Sequence, residues 1–374
     1  MRVAIIAFRG DSYYLSSLCQ GLSELSTVFV ICPKNLIDSH ICTNARLIEL
    51  PTTNSVGLKS ASINIDPSLV RTVQALVKKT KADVVHVAFE TAFLALWGWV
   101  LHKFRPLIST IHEPEPFLLF FSPSMIRPMN TAVASNNNKL LVQWSDRVIV
   151  HGTHHKSVLI NRGVNGKKIK VIPHGDQSFL DWWKTPNSPQ SIRPNILFLG
   201  RIWPYKGVEY FLQAASIAER VNPNVTFTIA GEGDFGPYEI FARKVKNLNL
   251  INKFLNEREI ADLLQNTSVV VFPNVSGSQT GWITSAYAFK KPVIVTDTGN
   301  FSEMVIDGET GLIVPPCNVN ALCRAILKLL SSPLVCQEMG CHGYEFMRKE
   351  TSWKVVAQKT ISVYEDAINE RYKR

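Results

Sequence analysis

The chain has 374 residues, of which 46% are hydrophobic and 19% charged, and its formal net charge at pH 7 is +10. This composition is typical of a globular protein and excludes disordered and fibrous classes, and the length favours two domains. The basic residues are scattered and no zinc-finger or RNA-binding pattern accompanies them, so nucleic acid is not an expected partner, whereas an anionic ligand or membrane surface fits the charge.

The first half alternates short Val- and Ile-rich runs with longer amphipathic segments, the pattern of a parallel sheet covered by helices. Strands are predicted over 3–7, 28–31, 84–87, 107–111 and 148–150, with a helix over 67–79. The apolar stretch at the N-terminus is short for a signal sequence, and the most apolar run, 92–101, has about half the length of a membrane span. We therefore expect a cytoplasmic protein without a membrane-spanning helix.

The seven cysteines lack CxxC spacing, which predicts neither a zinc site nor a disulfide framework. Residues 176–194 break the periodicity with Pro186, Pro189 and Pro194. This segment is the predicted linker between a domain over 1–175 and a domain over 195–349, and a last helical segment over 350–374 is expected to pack back on the first domain.

The second half repeats the alternation, with strands predicted over 195–199, 225–229, 269–272 and 293–296 and helices over 207–220, 257–265 and 319–330. Two doubly wound α/β domains follow from this pattern. Because open parallel sheets bind ligands at the carboxyl ends of their strands, the site is expected in a cleft between the two facing domains, on the loops that follow strands.

The loop after the strand over 195–199 reads GRIWPYKG and places Arg201 and Lys206 before a helix start. Two cations beside the amides of a helix N-terminus can bind a diphosphate; a solvated basic loop is the alternative. The loop after 225–229 reads AGEGDFG, and its glycines allow a ligand to approach the backbone.

Two further loops follow the next strands of the second half. The first, PNVSGSQTGW, runs into a helix and is either a phosphate-binding terminus or a turn with a helix cap. The second carries Asp297 and Glu303, and Glu303 is either a ligand-binding carboxylate or a charge at a helix N-terminus.

Taken in order, these loops resemble the retaining GT-B glycosyltransferases of glycosyltransferase family 4. The resemblance lies in GR followed by KG, then AGEGD, a Gly-rich loop before AYAFKKPVIVTD, and FSEMVIDGETGLIVPP; VIPHGD and ISTIHEPEP in the first half also fit. It implies a GT-B fold of two Rossmann-like domains, and a hexosyltransferase of polysaccharide biosynthesis that uses a nucleotide-diphosphate sugar without a metal or other cofactor.

The resemblance also implies roles for individual residues. Arg201 and Lys206 would hold the diphosphate and neutralise the leaving group, and His112 would face the donor sugar, although a structural histidine is the alternative. In the retaining transfer that the resemblance implies, the acceptor hydroxyl attacks on the face that the nucleotide leaves and a donor phosphate oxygen accepts its proton, so no protein nucleophile is implied. The other residues implied to bind the donor are Gly10, Gly200, Gly231, Gly233, Ser278, Thr280, Gly281 and Glu303.

The sequence departs from the family in the loop before AYAF. Most members carry two glutamates there, at the positions of Gly277 and Ser285, and a glycine at the position of Lys290. Lost hydrogen bonds to charged groups cost about 1.5 to 3 kcal/mol each. A changed donor and a catalytically silent binding or regulatory partner are both alternatives, and an epimerase that uses Glu113, Glu115 or Glu303 is a third.

The acceptor is expected to be a glycan or a lipid-linked glycan. The run FLLFFSP over 117–123 is either an exposed acceptor or membrane surface, or buried core. With the basic excess, the exposed alternative predicts peripheral contact with anionic lipid at the inner face of the membrane.

Overall fold

The computed structural model describes residues 1–8, 10–50, 67–89, 92–114, 139–185, 193–277 and 280–373. The chain divides into two compact units. The first consists of Met1–Gly175 with Ser352–Arg374, and the second of Asp176–Thr351.

The first unit is built on a seven-stranded parallel sheet in the order β3-β2-β1-β4-β5-β6-β7. Its interior strands are runs of Val and Ile that are buried on both faces, as parallel sheets require. The order changes direction beside β1, which pairs with both β2 and β4. The strands are β1 (Arg2–Ile6), β2 (Thr27–Cys32), β3 (Arg46–Glu49), β4 (Val84–Val87), β5 (Leu107–Thr110), β6 (Arg147–Val150) and β7 (Ile169–Val171).

The helices described in this unit are α1 (Ser12–Ser23), α2 (Pro67–Thr80), α3 (Ala92–Phe104), α4 (Thr153–Asn161) and, from the end of the chain, α12 (Trp353–Lys373). Asp11 caps α1 by accepting a 2.8 Å hydrogen bond from Tyr14 N. The helix α12 contributes Val356, Ala357 and Tyr364 to the core beneath α1. Its Tyr364 hydroxyl lies 2.7 Å from Nδ1 of the buried His86 on β4.

The second unit is built on a six-stranded parallel sheet in the order β10-β9-β8-β11-β12-β13, and the order changes direction beside β8. The strands are β8 (Asn195–Leu199), β9 (Thr226–Ala230), β10 (Leu248–Ile251), β11 (Val269–Phe272), β12 (Val293–Thr296) and β13 (Gly311–Val314). The helices are α5 (Val208–Val221), α6 (Glu239–Ala242), α7 (Glu257–Gln265), α8 (Trp282–Ala288), α9 (Phe301–Met304), α10 (Val319–Leu330) and α11 (Pro333–Glu350).

Residues 176–185, the described beginning of the segment predicted as a linker over 176–194, are grouped with the second unit. Residues Ser178–Trp183 form a 3-10 turn, and Leu180 is fully buried in the core of the second unit. The side chain of Gln265 makes two hydrogen bonds with the backbone of Thr185, accepting from its N–H and donating to its carbonyl oxygen. Although this segment is polar and proline-rich in composition, the buried side chain of Leu180 packs it into the core of the second unit. The prolines Pro186 and Pro189 lie outside the described residues.

Within the described ranges, no single helix has the length and hydropathy needed to cross a membrane. One pair, Val319–Leu330 with Pro333–Lys373, meets that test together by length and composition, with a bend of 102°.

Candidate functional site

The loop after β8 lies beside the point where the strand order of the second sheet changes direction, which is where open α/β sheets bind ligands. Arg201 is exposed, and its guanidinium lies 4.6 Å from the ring centroid of Trp203. Lys206 is half-buried, with Nζ 5.1 Å from the ring of Tyr205. Aromatic rings therefore support both predicted cations at the start of α5.

Gly207 makes this arrangement possible. It caps α5 with φ 73, in the left-handed region, and a Cβ there would collide with the Pro273 carbonyl. Val275 N donates a 2.8 Å hydrogen bond to Tyr205 O, which ties the loop after β11 to the loop after β8. The two loops therefore form one surface at the carboxyl edge of the sheet.

The glycines predicted to let a ligand approach also let two loops lie close to each other. Gly231 has φ 144, and a Cβ there would lie against the Gly200 carbonyl. Gly233 bridges Ile202, whose N donates a 2.8 Å hydrogen bond to Glu232 O. The loops after β8 and β9 are thus joined backbone to backbone, beside Arg201.

The loop before α8 contains Thr280 and Gly281, whereas the predicted Ser278 lies outside the described residues. Thr280 is buried, and its Oγ1 accepts a 3.3 Å hydrogen bond from Trp282 N. Gly281 lies against the Gln177 side chain, which a Cβ would overlap. Gln177 enters from the segment preceding the 3-10 turn, and sequence reasoning missed it.

Ser285 occupies the position where the family resemblance places a glutamate. It is fully buried, and its hydroxyl donates a 2.7 Å hydrogen bond to Gln177 Oε1. The Ser285 hydroxyl therefore makes a hydrogen bond inside the second unit.

Glu303 lies exposed on the short helix α9. Asn300, immediately before that helix, is 1% exposed, and neither polar atom of its side chain has a hydrogen-bond partner within the described part of the chain. Sequence reasoning did not identify Asn300, although it lies in the loop after β12 that was singled out for Asp297 and Glu303.

In the first unit, the predicted His112 follows β5 and belongs to a cluster of rings. It stacks on Phe89 with centroids 4.4 Å apart and an interplanar angle of 7°. The predicted Gly10, with φ 139, lies against the Phe89 ring, where a Cβ would overlap it. Since Gly10 follows β1 and Phe89 follows β4, this contact lies where the strand order of the first sheet changes direction. The rest of the cluster comprises Tyr14, His151, His174 and Trp353.

His112 contacts protein atoms through both ring nitrogens. Its Nε2 lies 3.0 Å from Ala88 O, and its Nδ1 lies 3.2 Å from His151 Nε2. Burial, together with neighbouring histidines, lowers the pKa of His112 to about 3, and burial also lowers the pKa of His151 well below its ordinary value. The sequence signal for His151 and His174 was their place after β6 and β7, which was not used.

No group of three or more His, Cys, Asp or Glu side chains is arranged to hold a metal ion in the described ranges.

Two family descriptions match most of the chain between them. "Glycosyltransferase Family 4" matches residues 9–175, and "Glycosyl transferases group 1" matches residues 193–332.

Among curated relatives, an uncharacterized glycosyltransferase of Methanocaldococcus jannaschii is 30% identical over 267 residues, covering 70% of this chain and 68% of that protein. The alpha-D-kanosaminyltransferase of Streptomyces kanamyceticus is 26% identical over 177 residues, 46% of each chain. A glycogen synthase of Mycobacterium tuberculosis is 26% identical over 265 residues. This chain spans about half the length of the kanosaminyltransferase and 63% of that of the glycogen synthase.

Two solved structures share the fold over nearly all of the chain. Sucrose-phosphate synthase of Thermosynechococcus elongatus has a TM-score of 0.77 at 20% identity, covering 99% of this chain and 100% of that one. The Anabaena protein HepE in complex with UDP has a TM-score of 0.72 at 17% identity, with 98% and 100% covered. The expected GT-B class, with two parallel Rossmann-like sheets flanked by helices, is confirmed. By these matches the chain belongs to the group 1, family 4 glycosyltransferases.

Proposed function

We propose that this glycosyltransferase moves a hexose from a nucleotide-diphosphate sugar to a glycan or lipid-linked glycan. The observation that carries the proposal is the pair Arg201 and Lys206. Both lie beside the direction change of the second sheet, each supported by an aromatic ring. Two cations at a helix start match a diphosphate.

The chemistry follows from where charge develops. As the bond between the anomeric carbon and the diphosphate breaks, negative charge builds up on the leaving phosphate. Fixed cations stabilise such charge more in the transition state than in the ground state. Arg201 and Lys206 would supply this stabilisation without a metal ion or other cofactor.

Retention of configuration is part of the proposal. The acceptor oxygen attacks the anomeric carbon on the face from which the diphosphate departs, and the acceptor proton moves to a phosphate oxygen of the leaving group. The bond to the acceptor forms as the bond to phosphate breaks, so no covalent sugar-protein intermediate is needed. His112 is proposed to contact the donor sugar.

For the donor, the structures of HepE include complexes with UDP and with UDP-glucose, which supports testing a uridine diphosphate sugar first. For the acceptor, contact with anionic lipid remains a proposal based on the +10 charge. The apolar run over 117–123 that also motivated it lies outside the described residues.

Binding is tested by thermal unfolding of the purified chain with a panel of UDP-, GDP- and ADP-sugars. A ligand at a hundredfold excess over its Kd stabilises the folded state by about 2.7 kcal/mol. We expect a shift with one donor class that is lost in the Arg201→Ala, Lys206→Ala double variant.

The matched control is the Arg243→Ala, Lys244→Ala double variant. It removes the same charge near the amino end of β10, and Lys244 also lies over an aromatic ring, 5.9 Å from the centroid of Phe241. The control should retain the shift. Equal loss in both variants would point to nonspecific attraction and contradict the proposed site.

A further inference from the structure

Two buried cysteines of the first unit lie side by side, one on α1 and one in the loop that joins β2 to β3. Cys19 is on α1 and is fully buried, and Cys42 is in the loop and is 8% exposed. Their thiols interact by a side-chain hydrogen bond, and all seven cysteines of the chain are free. Two free thiols in contact are the starting arrangement for a disulfide.

Hydrogen bonds on both sides of the loop cysteine hold the loop against α1. Asp38 N donates a 2.8 Å hydrogen bond to Ser16 Oγ, and Thr43 N donates a 3.1 Å hydrogen bond to Gln20 Oε1. Ser16 and Gln20 are one helical turn apart on α1, and Cys19 lies between them in the sequence. The fold therefore holds the two thiols against each other.

Cys42, unlike Cys19, lines a cleft of about 470 Å³ beside β2 and β3. Cavities of this size bind small molecules. Lys34, Asn35 and Glu49 also line the cleft, so its wall offers an ammonium, an amide and a carboxylate. A small molecule in the cleft can therefore contact Cys42, whereas the fully buried Cys19 is shielded from it.

The thiols of this region differ in acidity. The hydrogen bond from Cys19 lowers the pKa of Cys42 against the opposing effect of burial, and a hydrogen bond with the backbone of Ala45 lowers it further. Burial raises the pKa of Cys19 well above its ordinary value, and it raises the pKa of Cys32, the last residue of β2, to about 12. Because the thiolate is the nucleophile in thiol exchange, Cys42 is the reactive cysteine of the group.

We propose that Cys42 is a thiol-exchange site for a small disulfide of the glutathione type, and that Cys19 converts the product into a Cys19–Cys42 disulfide. Glutathione carries carboxylate and ammonium groups, which match the opposite charges of Lys34 and Glu49 in the cleft wall. The site belongs to the first unit alone, and it does not depend on the transfer reaction proposed above.

The reaction consists of two exchanges. The Cys42 thiol gives its proton to solvent, its thiolate attacks one sulfur of glutathione disulfide, and one glutathione leaves as a thiolate that takes up a proton. The Cys19 thiol then loses its proton, and its sulfur attacks the Cys42 sulfur and expels the second glutathione. The two protein thiols are oxidised to one disulfide, and glutathione disulfide is reduced to two glutathione molecules. Because burial raises the pKa of Cys19, the second exchange is the slower one and the mixed disulfide at Cys42 comes first.

The site is tested in the full chain, which is reduced, freed of reductant and treated with glutathione disulfide. After an acid quench, peptides are mapped by mass spectrometry without reduction. We expect glutathione at Cys42 early, and later a peptide pair linked through Cys19 and Cys42. Cys317 is exposed and is the internal reference, which should hold glutathione without forming a disulfide to another cysteine. An unmodified Cys42 in protein that carries glutathione at Cys317 overturns the proposal.

Cysteine variants separate the two exchanges. In Cys19→Ala, or in Cys19→Ser if that variant does not fold, the mixed disulfide at Cys42 should accumulate and no internal disulfide should form. In Cys42→Ala, Cys19 should stay unmodified because it is fully buried. The matched control is Cys32→Ala, which removes a buried thiol near Cys42 and should leave the Cys19–Cys42 disulfide unchanged. A wild-type disulfide between Cys32 and Cys42, or no accumulation at Cys42 in the Cys19 variants, contradicts the role of Cys19.

An equilibrium measurement on the wild-type chain shows whether the fold itself brings the two thiols together. In glutathione buffers, the ratio of the Cys19–Cys42 disulfide to the dithiol gives the effective concentration of one thiol at the other. This ratio should be at least about 10-fold higher in the folded chain than in urea, where a flexible segment joins the two cysteines. An equal or lower ratio in the folded chain overturns the proposal.

Discussion

The hydroxyl of Ser285 donates a 2.7 Å hydrogen bond to Oε1 of Gln177, and this bond lies at the position where the family resemblance places a glutamate. Ser285 is fully buried on α8, and Gln177 also packs against Gly281 at the start of that helix. An amide and a hydroxyl therefore hold the segment preceding the 3-10 turn against α8. This fully buried position is occupied by an internal contact, so a longer acidic side chain would have to displace Gln177 or other neighbouring groups.

Restoring the glutamate is therefore expected to weaken the fold. Ser285→Glu adds volume at a buried position and brings a carboxyl into it, so we expect a loss of about 3 kcal/mol in the free energy of unfolding at pH 7. Burial raises the pKa of such a carboxyl, so the folded state holds its proton to a higher pH than the unfolded state does. The loss should be smallest at about pH 4 and grow as the pH rises.

Urea unfolding of wild type and Ser285→Glu at several pH values measures this difference. Ser285→Ala is the control, since it removes the hydrogen bond without adding volume or charge and should cost about 1 kcal/mol with little dependence on pH. A Ser285→Glu variant as stable as wild type at pH 7 would show that the glutamate reaches solvent or ligand, contrary to the packing described.

Loss of either site cation should slow transfer without weakening the fold. Arg201 is exposed and Lys206 half-buried, so alanine at either position should change the free energy of unfolding by about 0.5 kcal/mol or less. Each variant should lower kcat/KM about 100-fold, the effect of removing one group that stabilises developing charge. Arg201→Lys should not recover full activity, because an ammonium cannot reproduce a bidentate contact with phosphate. Steady-state kinetics with the donor identified by binding, beside urea unfolding, measures both effects; a variant that loses activity only in proportion to its stability would contradict a role in charge stabilisation.

Sequence periodicity was sufficient to predict the buried strands, because short runs rich in Val and Ile are typical of strands that are covered on both faces of a sheet. It missed three edge strands, Arg46–Glu49, Ile169–Val171 and Leu248–Ile251, whose residues are mostly part-exposed or exposed. By the family resemblance, Lys290 stands where most members have a glycine. Its φ of 54 lies in the left-handed region, which glycine adopts more readily than other residues, and this explains the glycine in the family.

Some of the site residues could be predicted from the sequence, and others could not. Arg201 and Lys206 could be found because one loop carries both. His151 and Gln177 could not, because their partners, His112 and Ser285, lie 39 and 108 residues away along the chain. Only the folded arrangement brings these pairs together.

Gly231 should be far less tolerant of substitution than a glycine with the same backbone requirement in open space. Its φ is 144, and a Cβ would meet the Gly200 carbonyl, a backbone group that cannot move aside. Gly308 has φ 79 but no atom within 4 Å of its Cβ position. A substitution there would therefore be disfavoured only by the left-handed backbone conformation and not by a steric clash. We expect Gly308→Ala to cost about 1 kcal/mol and Gly231→Ala about 3 kcal/mol or more. Urea unfolding compares them; equal losses would mean that the loops after β8 and β9 separate readily.

The stability of the first unit should fall in acid because of His86. This side chain is 1% exposed, lies between Tyr364 Oη and Thr110 Oγ1 at 2.7 and 2.8 Å, and burial lowers its pKa to about 3. The unfolded chain binds a proton at this residue below about pH 6.5, whereas the folded chain does not until about pH 3. In that window the unfolded state holds more protons, so stability falls by up to about 1.4 kcal/mol per pH unit for this residue.

The measurement is urea unfolding of wild type and His86→Gln between about pH 7 and pH 4, below the ordinary histidine pKa. His86→Gln lowers stability at pH 7 because it disturbs two buried hydrogen bonds, but its stability should decline less steeply with falling pH. His40→Gln, which removes a histidine at an exposed position, should keep the wild-type slope. Parallel slopes for wild type and His86→Gln would show that His86 takes up a proton in the folded chain as readily as in the unfolded one, and that its burial between Tyr364 and Thr110 does not hold it neutral.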